Sequence, residues 1–270
     1  MTRTLGLAQL TALDLAPPQL VQLAAASGCN AVGIRLWPTA PNTLYYPLVE
    51  DRTLRRETAA AVRDTGVRIL DVEVMRMGES FDLAERLPTI EVSAELGAAH
   101  LNVVCDDRDR TRLTDRFAAL CDAAATFGLT CDLEFMPWTA LRNLADACQV
   151  LKAADRPNAG LIIDALHFAR AGCTLAELDA VPRAWLRWVQ LCDGPVPGPT
   201  TEEGLIHAAR RERLLPGEGA IDLTGLLRHL PADLPVSIEV PSESRCAALG
   251  PTEWVRQAKA ATDAVLAQVD

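Results

Sequence analysis

Hydrophobic residues in this chain fall in short, nearly continuous runs. Each run is followed by a stretch in which apolar positions recur every three or four residues. The short runs occupy residues 4–8, 31–36, 68–74, 100–105, 129–135, 160–164, 186–191 and 235–240. Nearly continuous apolar runs of this length fit parallel strands buried on both faces. Helices are predicted over residues 17–27, 53–65, 84–96, 114–127, 140–154, 175–178, 223–230 and 251–269, and four of them stop at Gly28, Gly66, Gly97 and Gly128. Alternating strands and helices predict parallel βαβ units. Eight repeats of about 34 residues point to closure into an α/β fold, a single (β/α)8 TIM barrel spanning residues 1–270 as one domain. An open doubly wound sheet would usually carry a glycine-rich phosphate loop after its first strand, and Leu7-Ala8-Gln9-Leu10-Thr11 has none. The most irregular piece is residues 193–220, whose segment Gly194-Pro195-Val196-Pro197-Gly198-Pro199 excludes regular helix. A loop of that length is either a functional lid or a plain surface excursion.

Composition narrows the function classes. The apolar fraction is 49% and the charged fraction 23%, ordinary for a globular protein, so no disordered or fibrous class is indicated. A net charge of −10 repels phosphate backbones and argues against a nucleic-acid partner. The eight cysteines form no Cys-x-x-Cys pair and sit mostly in apolar segments, so they are expected to be reduced residues of a cytoplasmic protein. No signal peptide and no membrane span is expected, since Asp14 interrupts the first apolar run.

In a (β/α)8 barrel the chemistry lies at the C-terminal ends of the strands, so the polar residues that end the apolar runs matter most. Glu134, Asp164, Gln190 and Glu239 end four consecutive runs, the fifth to the eighth. Adjacent strands are about 4.8 Å apart, so four such side chains pointing inward would meet at one rim. Three carboxylates that close repel one another unless a positive charge sits among them. A divalent cation supplies it, and oxygen ligands from carboxylates and an amide suit Mg²⁺ or Mn²⁺. A lone acid in such a place commonly caps a helix, and Asp164 can cap residues 165–171. His167, three residues after Asp164, is placed to contact substrate over the mouth. Arg35, Arg76, Arg210 and Arg213 occur near the same rim, and Arg213 stands beside Pro216-Gly217-Glu218-Gly219, which can fold tightly over it. Such arginines bind substrate oxyanions, hold a loop, or form surface ion pairs. Trp37, Tyr45 and Tyr46 are expected as an apolar wall over the pocket or a contact in a homo-oligomer.

Five short segments, in this order and strand placement, carry a resemblance over nearly the whole chain. They are Leu133-Glu134-Phe135, Ile163-Asp164-Ala165-Leu166-His167, Val189-Gln190-Leu191-Cys192-Asp193, Leu215-Pro216-Gly217-Glu218-Gly219 and Ser237-Ile238-Glu239-Val240. The chain resembles the xylose-isomerase-like barrel superfamily of sugar epimerases, inosose dehydratases, dehydroshikimate dehydratases and endonuclease IV. The resemblance implies that Glu134 and Glu239 bind the metal and shuttle a proton on opposite faces of the substrate. It implies that Asp164 is a further ligand, and that His167 and Arg213 bind substrate. Gln190 departs from the commoner histidine and is similar to some dehydratases of the superfamily. The expectation is a metal-dependent isomerase or epimerase of a ketose or related polyol ketone, with a dehydratase as the alternative. Both begin by removing a proton beside a carbonyl, so these residues do not separate them. A repair endonuclease would need many metal-binding histidines, and the chain has four. A non-catalytic carbohydrate-binding barrel would not need two acids on opposite sides of a metal.

Overall fold

The computed structural model describes residues 3–39 and 43–269. Eight parallel strands close on themselves in sequence order: β1 (Leu5–Leu7), β2 (Ala31–Arg35), β3 (Arg68–Met77), β4 (His100–Cys105), β5 (Thr130–Glu134), β6 (Ala159–Asp164), β7 (Leu186–Leu191) and β8 (Val236–Ile238). The α-helices are α1 (Pro17–Ala26), α2 (Arg52–Thr65), α3 (Leu83–Glu95), α4 (Arg110–Ala125), α5 (Leu144–Ala154), α6 (Ala165–Arg170), α7 (Leu175–Asp179), α8 (Glu202–Arg211), α9 (Leu223–His229), α10 (Glu243–Leu249) and α11 (Pro251–Leu266). This is the expected (β/α)8 barrel. The strands closing the ring, β1 and β8, have three residues each. Their seam is reinforced from the side: the Thr11 hydroxyl donates to the Ile238 carbonyl at 2.9 Å and accepts from the Val240 amide at 3.0 Å.

Two apolar cores follow from the two faces of the strands. The large one lies between the barrel and its helices and includes Leu7, Val32, Val103, Leu133, Ile163 and Leu191. The small one is Ala31, Leu70, Ile162 and Trp188. Those four come from β2 and β3 on one side and β6 and β7 on the other, so their contact crosses the barrel interior. Side chains two apart on a strand share a face, and Asp164 and Gln190 therefore stand above Ile162 and Trp188 on the inner wall.

Above and beside this plug the inner wall is polar. Arg35 pairs with Glu73 at 3.2 Å, His100 meets Asp132 at 2.9 Å, and Asn102 donates to Glu134 at 3.0 Å. A bulge makes this possible on β3. The register runs Val32↔Ile69 and then Gly33↔Asp71, so Leu70 is the extra residue and both Asp71 and Glu73 turn inward.

Element ends depart from the sequence reading where side chains cap them. The helix expected from residue 140 begins at Leu144, because the Asn143 side chain accepts from the Asp146 amide at 2.9 Å and caps it there. Residues 193–220 are not one irregular excursion: they contain α8, capped by Thr201, with Glu202 and Glu203 in its first turn and Arg210 and Arg211 in its last. Those are the charges that favour each end of a helix dipole. Among the described residues no helix is long and apolar enough to cross a membrane.

Candidate active site

A cleft of about 680 Å³ opens at the C-terminal ends of the strands. Its wall includes Arg35, Glu73, Arg76, Glu134, His167, Arg213 and Glu239, with Leu10, Leu13, Leu44, Met136, Trp138 and Ile206 as apolar surface. Trp37, Tyr45 and Tyr46, expected as a pocket wall or a subunit contact, are not among the residues lining this cleft. Trp37 is covered by the Arg86 guanidinium 3.9 Å from its ring centre, and the Tyr46 hydroxyl donates to the Leu13 carbonyl. Arg76 is tied to Asp106 by a short ion pair.

The six residues singled out from the sequence are all buried here. Glu134 ends β5 and is anchored by the Asn102 amide. Asp164 ends β6, and one oxygen caps α6 by accepting from the His167 amide at 2.9 Å. The cap reading of Asp164 is thus correct, but its other oxygen accepts from Arg213 at 2.6 Å. The second guanidinium nitrogen of Arg213 reaches Glu239 at 3.0 Å. Arg213 also donates to the Ala209 carbonyl at 2.7 Å, so its fork has one orientation. His167 Nε2 lies 3.6 Å from Glu134, and its ring meets the edge of Trp138 at 5.2 Å between centres. Gln190 sits on β7 opposite Asp164 on one side and Ser237 on the other, beneath the cleft. Glu239 stands two residues beyond Ser237, one step nearer the mouth.

The loop that delivers Arg213 is held by Asp193. Its carboxylate accepts from the amides of Gly194, Gly217 and Ile221 at 2.8, 3.0 and 3.1 Å. Two glycines allow this. Gly217 has φ +88°, and a Cβ on Gly219 would stand 2.3 Å from an Asp193 oxygen. The Arg213 amide then donates to the Pro241 carbonyl at 2.8 Å, tying the loop to the end of β8.

Charge is unevenly spread in this site. Burial alone would raise the Asp164 carboxyl, but Arg213 and His167 beside it, with two hydrogen bonds, hold it down at about 2. Burial pushes Glu134 up to about 7, with Asp164 adding to the push. Glu239 is raised well above its usual range despite its contact with Arg213, because burial and the charges of Glu73, Glu134 and Asp164 outweigh that one pairing. Burial lowers His167 to about 4, so its ring is neutral near pH 7. One arginine leaves this group short of positive charge.

The residues fit a divalent cation. Glu134, Asp164 and His167 each offer a ligand atom within 4.8 Å of the others. The Gln190 side-chain oxygen is a buried acceptor with no hydrogen-bond donor. Glu239 is outside that tight group, drawn toward Arg213. Sequence reasoning missed Asn102, which donates to Glu134, and Glu73, which lines the same cleft and pairs with Arg35. Their signal was the polar alternation inside apolar runs, Asp71 and Glu73 in one and His100 and Asn102 in another.

A (β/α)8 barrel with acids gathered at its mouth defines the class, and the sequence gives the family. The chain belongs to the xylose isomerase-like TIM barrel family, which matches residues 21–265. It is similar to a 3-dehydroshikimate dehydratase of Pseudomonas aeruginosa, 28% identical over 242 residues, covering 83% of this chain and 36% of that protein. It is similar to an inosose isomerase of Bacillus velezensis, 26% identical over 156 residues, covering 55% of this chain and 52% of that one. The chain thus spans about a third and about half of these two relatives. Its fold is that of the IOLI protein solved with a zinc atom, at a TM-score of 0.81, 21% identity and 99% of each chain.

Proposed function

We propose that the chain is a divalent-metal-dependent isomerase or epimerase of a ketose or related polyol ketone. The observation that carries this reading is the pair Glu134 and Glu239 on the wall of one cleft, presented from β5 and from just beyond β8. They stand on separate parts of the rim, where one can take a proton from a bound substrate and the other return it. Glu134, Asp164, Gln190 and Glu239 would hold the cation, with His167 within reach. A bound Mg²⁺ or Mn²⁺ supplies Lewis acidity to the substrate's carbonyl and hydroxyl oxygens.

The chain's own residues do the rest. Glu239, which a bound cation would bring back down into its ionised range, removes the proton from the carbon beside the carbonyl. Glu134, pushed up to about 7, is matched to proton exchange near neutral pH and delivers a proton to the other face or the neighbouring carbon. Arg213 fixes Glu239 and Asp164 in one orientation, and neutral His167 hydrogen-bonds a substrate hydroxyl. Trp138, Met136 and Ile206 narrow the water-accessible wall.

A second reading, a dehydratase, is favoured by Gln190, the residue that resembles dehydratases of the superfamily, and by the 83% coverage of this chain in its likeness to a dehydratase. There the same first step is followed by loss of a β-hydroxyl as water. Exchange of the substrate's α-proton in D₂O, followed by NMR with ketoses, inososes and 3-dehydroshikimate, tests both. A rearranged sugar supports the isomerase, and loss of water the dehydratase. Glu239→Gln is expected to slow exchange by about 10²-fold or more while retaining fold. Exchange by Glu239→Gln at the parent's rate rules out Glu239 as the base.

A further inference from the structure

Five arginines line the cleft, and four of them have carboxylate partners. Arg35 is paired with Glu73, Arg76 with Asp106, Arg211 with Glu243 at 2.8 Å, and Arg213 with Asp164 and Glu239. Arg210 differs. Among the described residues it makes no ion pair and no hydrogen bond, although it is partly buried on the cleft wall at the last turn of α8. The acids of its own helix, Glu202 and Glu203, lie at the opposite end, about 11 Å along the axis. They are exposed and do not neutralise it.

We infer that Arg210 is the docking point for an anionic group on the substrate, an oxyanion of the carboxylate or phosphate-ester kind. A guanidinium presents two parallel N–H donors that match such a group, and a neutral sugar hydroxyl does not use that geometry. Its surroundings agree. Burial, then the neighbouring charges of Arg76 and Arg35, lower the pKa of Arg210, with Asp106, itself paired with Arg76, opposing them. Arg35 and Arg76 are already matched by Glu73 and Asp106, and Glu134 and Glu239 below are engaged with Asn102 and Arg213, so Arg210 carries the unmatched charge on this wall. An anion on the rim leaves the uncharged hydroxy-ketone end of the same molecule to reach Glu134 and Glu239. The cleft volume, about 680 Å³, holds a molecule of that size.

This inference rests on the proton-transfer reading above, and a binding measurement separates the two. Calorimetric titration of Mn²⁺-loaded protein uses three probes: 3-dehydroshikimate with a carboxylate, D-fructose 6-phosphate with a phosphate ester, and uncharged scyllo-inosose. At least one anion is expected to bind, and Arg210→Gln to weaken it by about 10- to 100-fold, the scale for losing a charge-assisted hydrogen bond. Binding of scyllo-inosose should be unchanged by that substitution, and so should thermal unfolding, because Arg210 has no partner to lose. The anion that depends on Arg210 names the group. Equal affinity of parent and Arg210→Gln for both anions, including no binding of either, overturns the inference. Exchange of scyllo-inosose protons in D₂O would then leave the enzyme reading standing. Arg210-dependent anion binding without exchange on any probe would do the reverse.

Discussion

Arg213 is the sharpest place to perturb the site, since one guanidinium holds two acids that repel each other. Arg213→Met keeps an unbranched apolar stem and removes the charge. Asp164 and Glu239 then face each other in a buried site with no cation between them. Losing one partner of a buried pair costs about 3–5 kcal/mol. The unfolding entropy of a chain of 270 residues is about 0.57 kcal/mol/K at about 2.1 cal/mol/K per residue, so the metal-free Tm should fall by about 5–9 °C. The depression of Asp164 from 3.8 to about 2 accounts for on the order of 2 kcal/mol of this. Its folded pKa lies below its unfolded one. That share is therefore present above about pH 4 and is lost as pH falls through about 2. The gap between parent and variant should narrow on acidification. Metal affinity should move the other way. A doubly charged cation and a guanidinium about 5 Å apart repel by several kcal/mol even at an effective dielectric of about 20, so Arg213→Met should bind Mn²⁺ at least about tenfold more tightly. Scanning calorimetry in EDTA and titration with Mn²⁺ measure both. A Tm drop under about 2 °C together with unchanged or weaker Mn²⁺ binding would refute the reasoning that Arg213 is the site's internal countercharge.

Other consequences can be measured on the same preparation. Gln190→His should keep or tighten Mn²⁺ binding, because an imidazole replaces an amide as a ligand, whereas Asp164→Ala should weaken it severely; equal affinity of Asp164→Ala and parent would reduce Asp164 to a helix cap. Glu134 is raised from 4.5 to about 7, so the folded protein binds more protons than the unfolded chain in that window, and metal-free stability should fall by roughly 3 kcal/mol as pH rises through it. Glu134→Gln should flatten that slope in urea titrations across the same window, and an unaltered slope would assign it to another group.

The barrel was legible because strands buried on both faces write themselves as nearly continuous apolar runs, and each of the eight runs holds a strand of the ring. Glu134, Asp164, Gln190 and Glu239 were legible as interruptions at the ends of those runs. The polar residues inside the runs, Asp71, Glu73, His100 and Asn102, were visible, but the face that each one takes was not. Asp71 and Glu73 point inward because the Leu70 bulge shifts the register by one residue, and a bulge leaves no mark in the residue types around it. Asn102 meets Glu134 across a strand boundary, a pairing that depends on barrel register rather than on spacing in the chain. Helix α8 was hidden by the prolines before it, although Thr201 and the opposed charges at its two ends were there to be read. The role of Asp193 as the clasp of the Arg213 loop was also unreadable, since its three amide partners are spread from residue 194 to residue 221.

The bulge on β3 and the polar inner wall have a consequence for how such a chain can change over time. Alternate residues of each strand answer to different demands. Val103, Leu133 and Ile163 face the helices and keep the barrel folded, while Asn102, Glu134 and Asp164 beside them face the barrel interior. A substitution on the inward set alters what the barrel does with little effect on the apolar shell, and one on the outward set does the opposite. Selection for a new substrate and selection for a durable scaffold can thus proceed on neighbouring residues with little conflict between them.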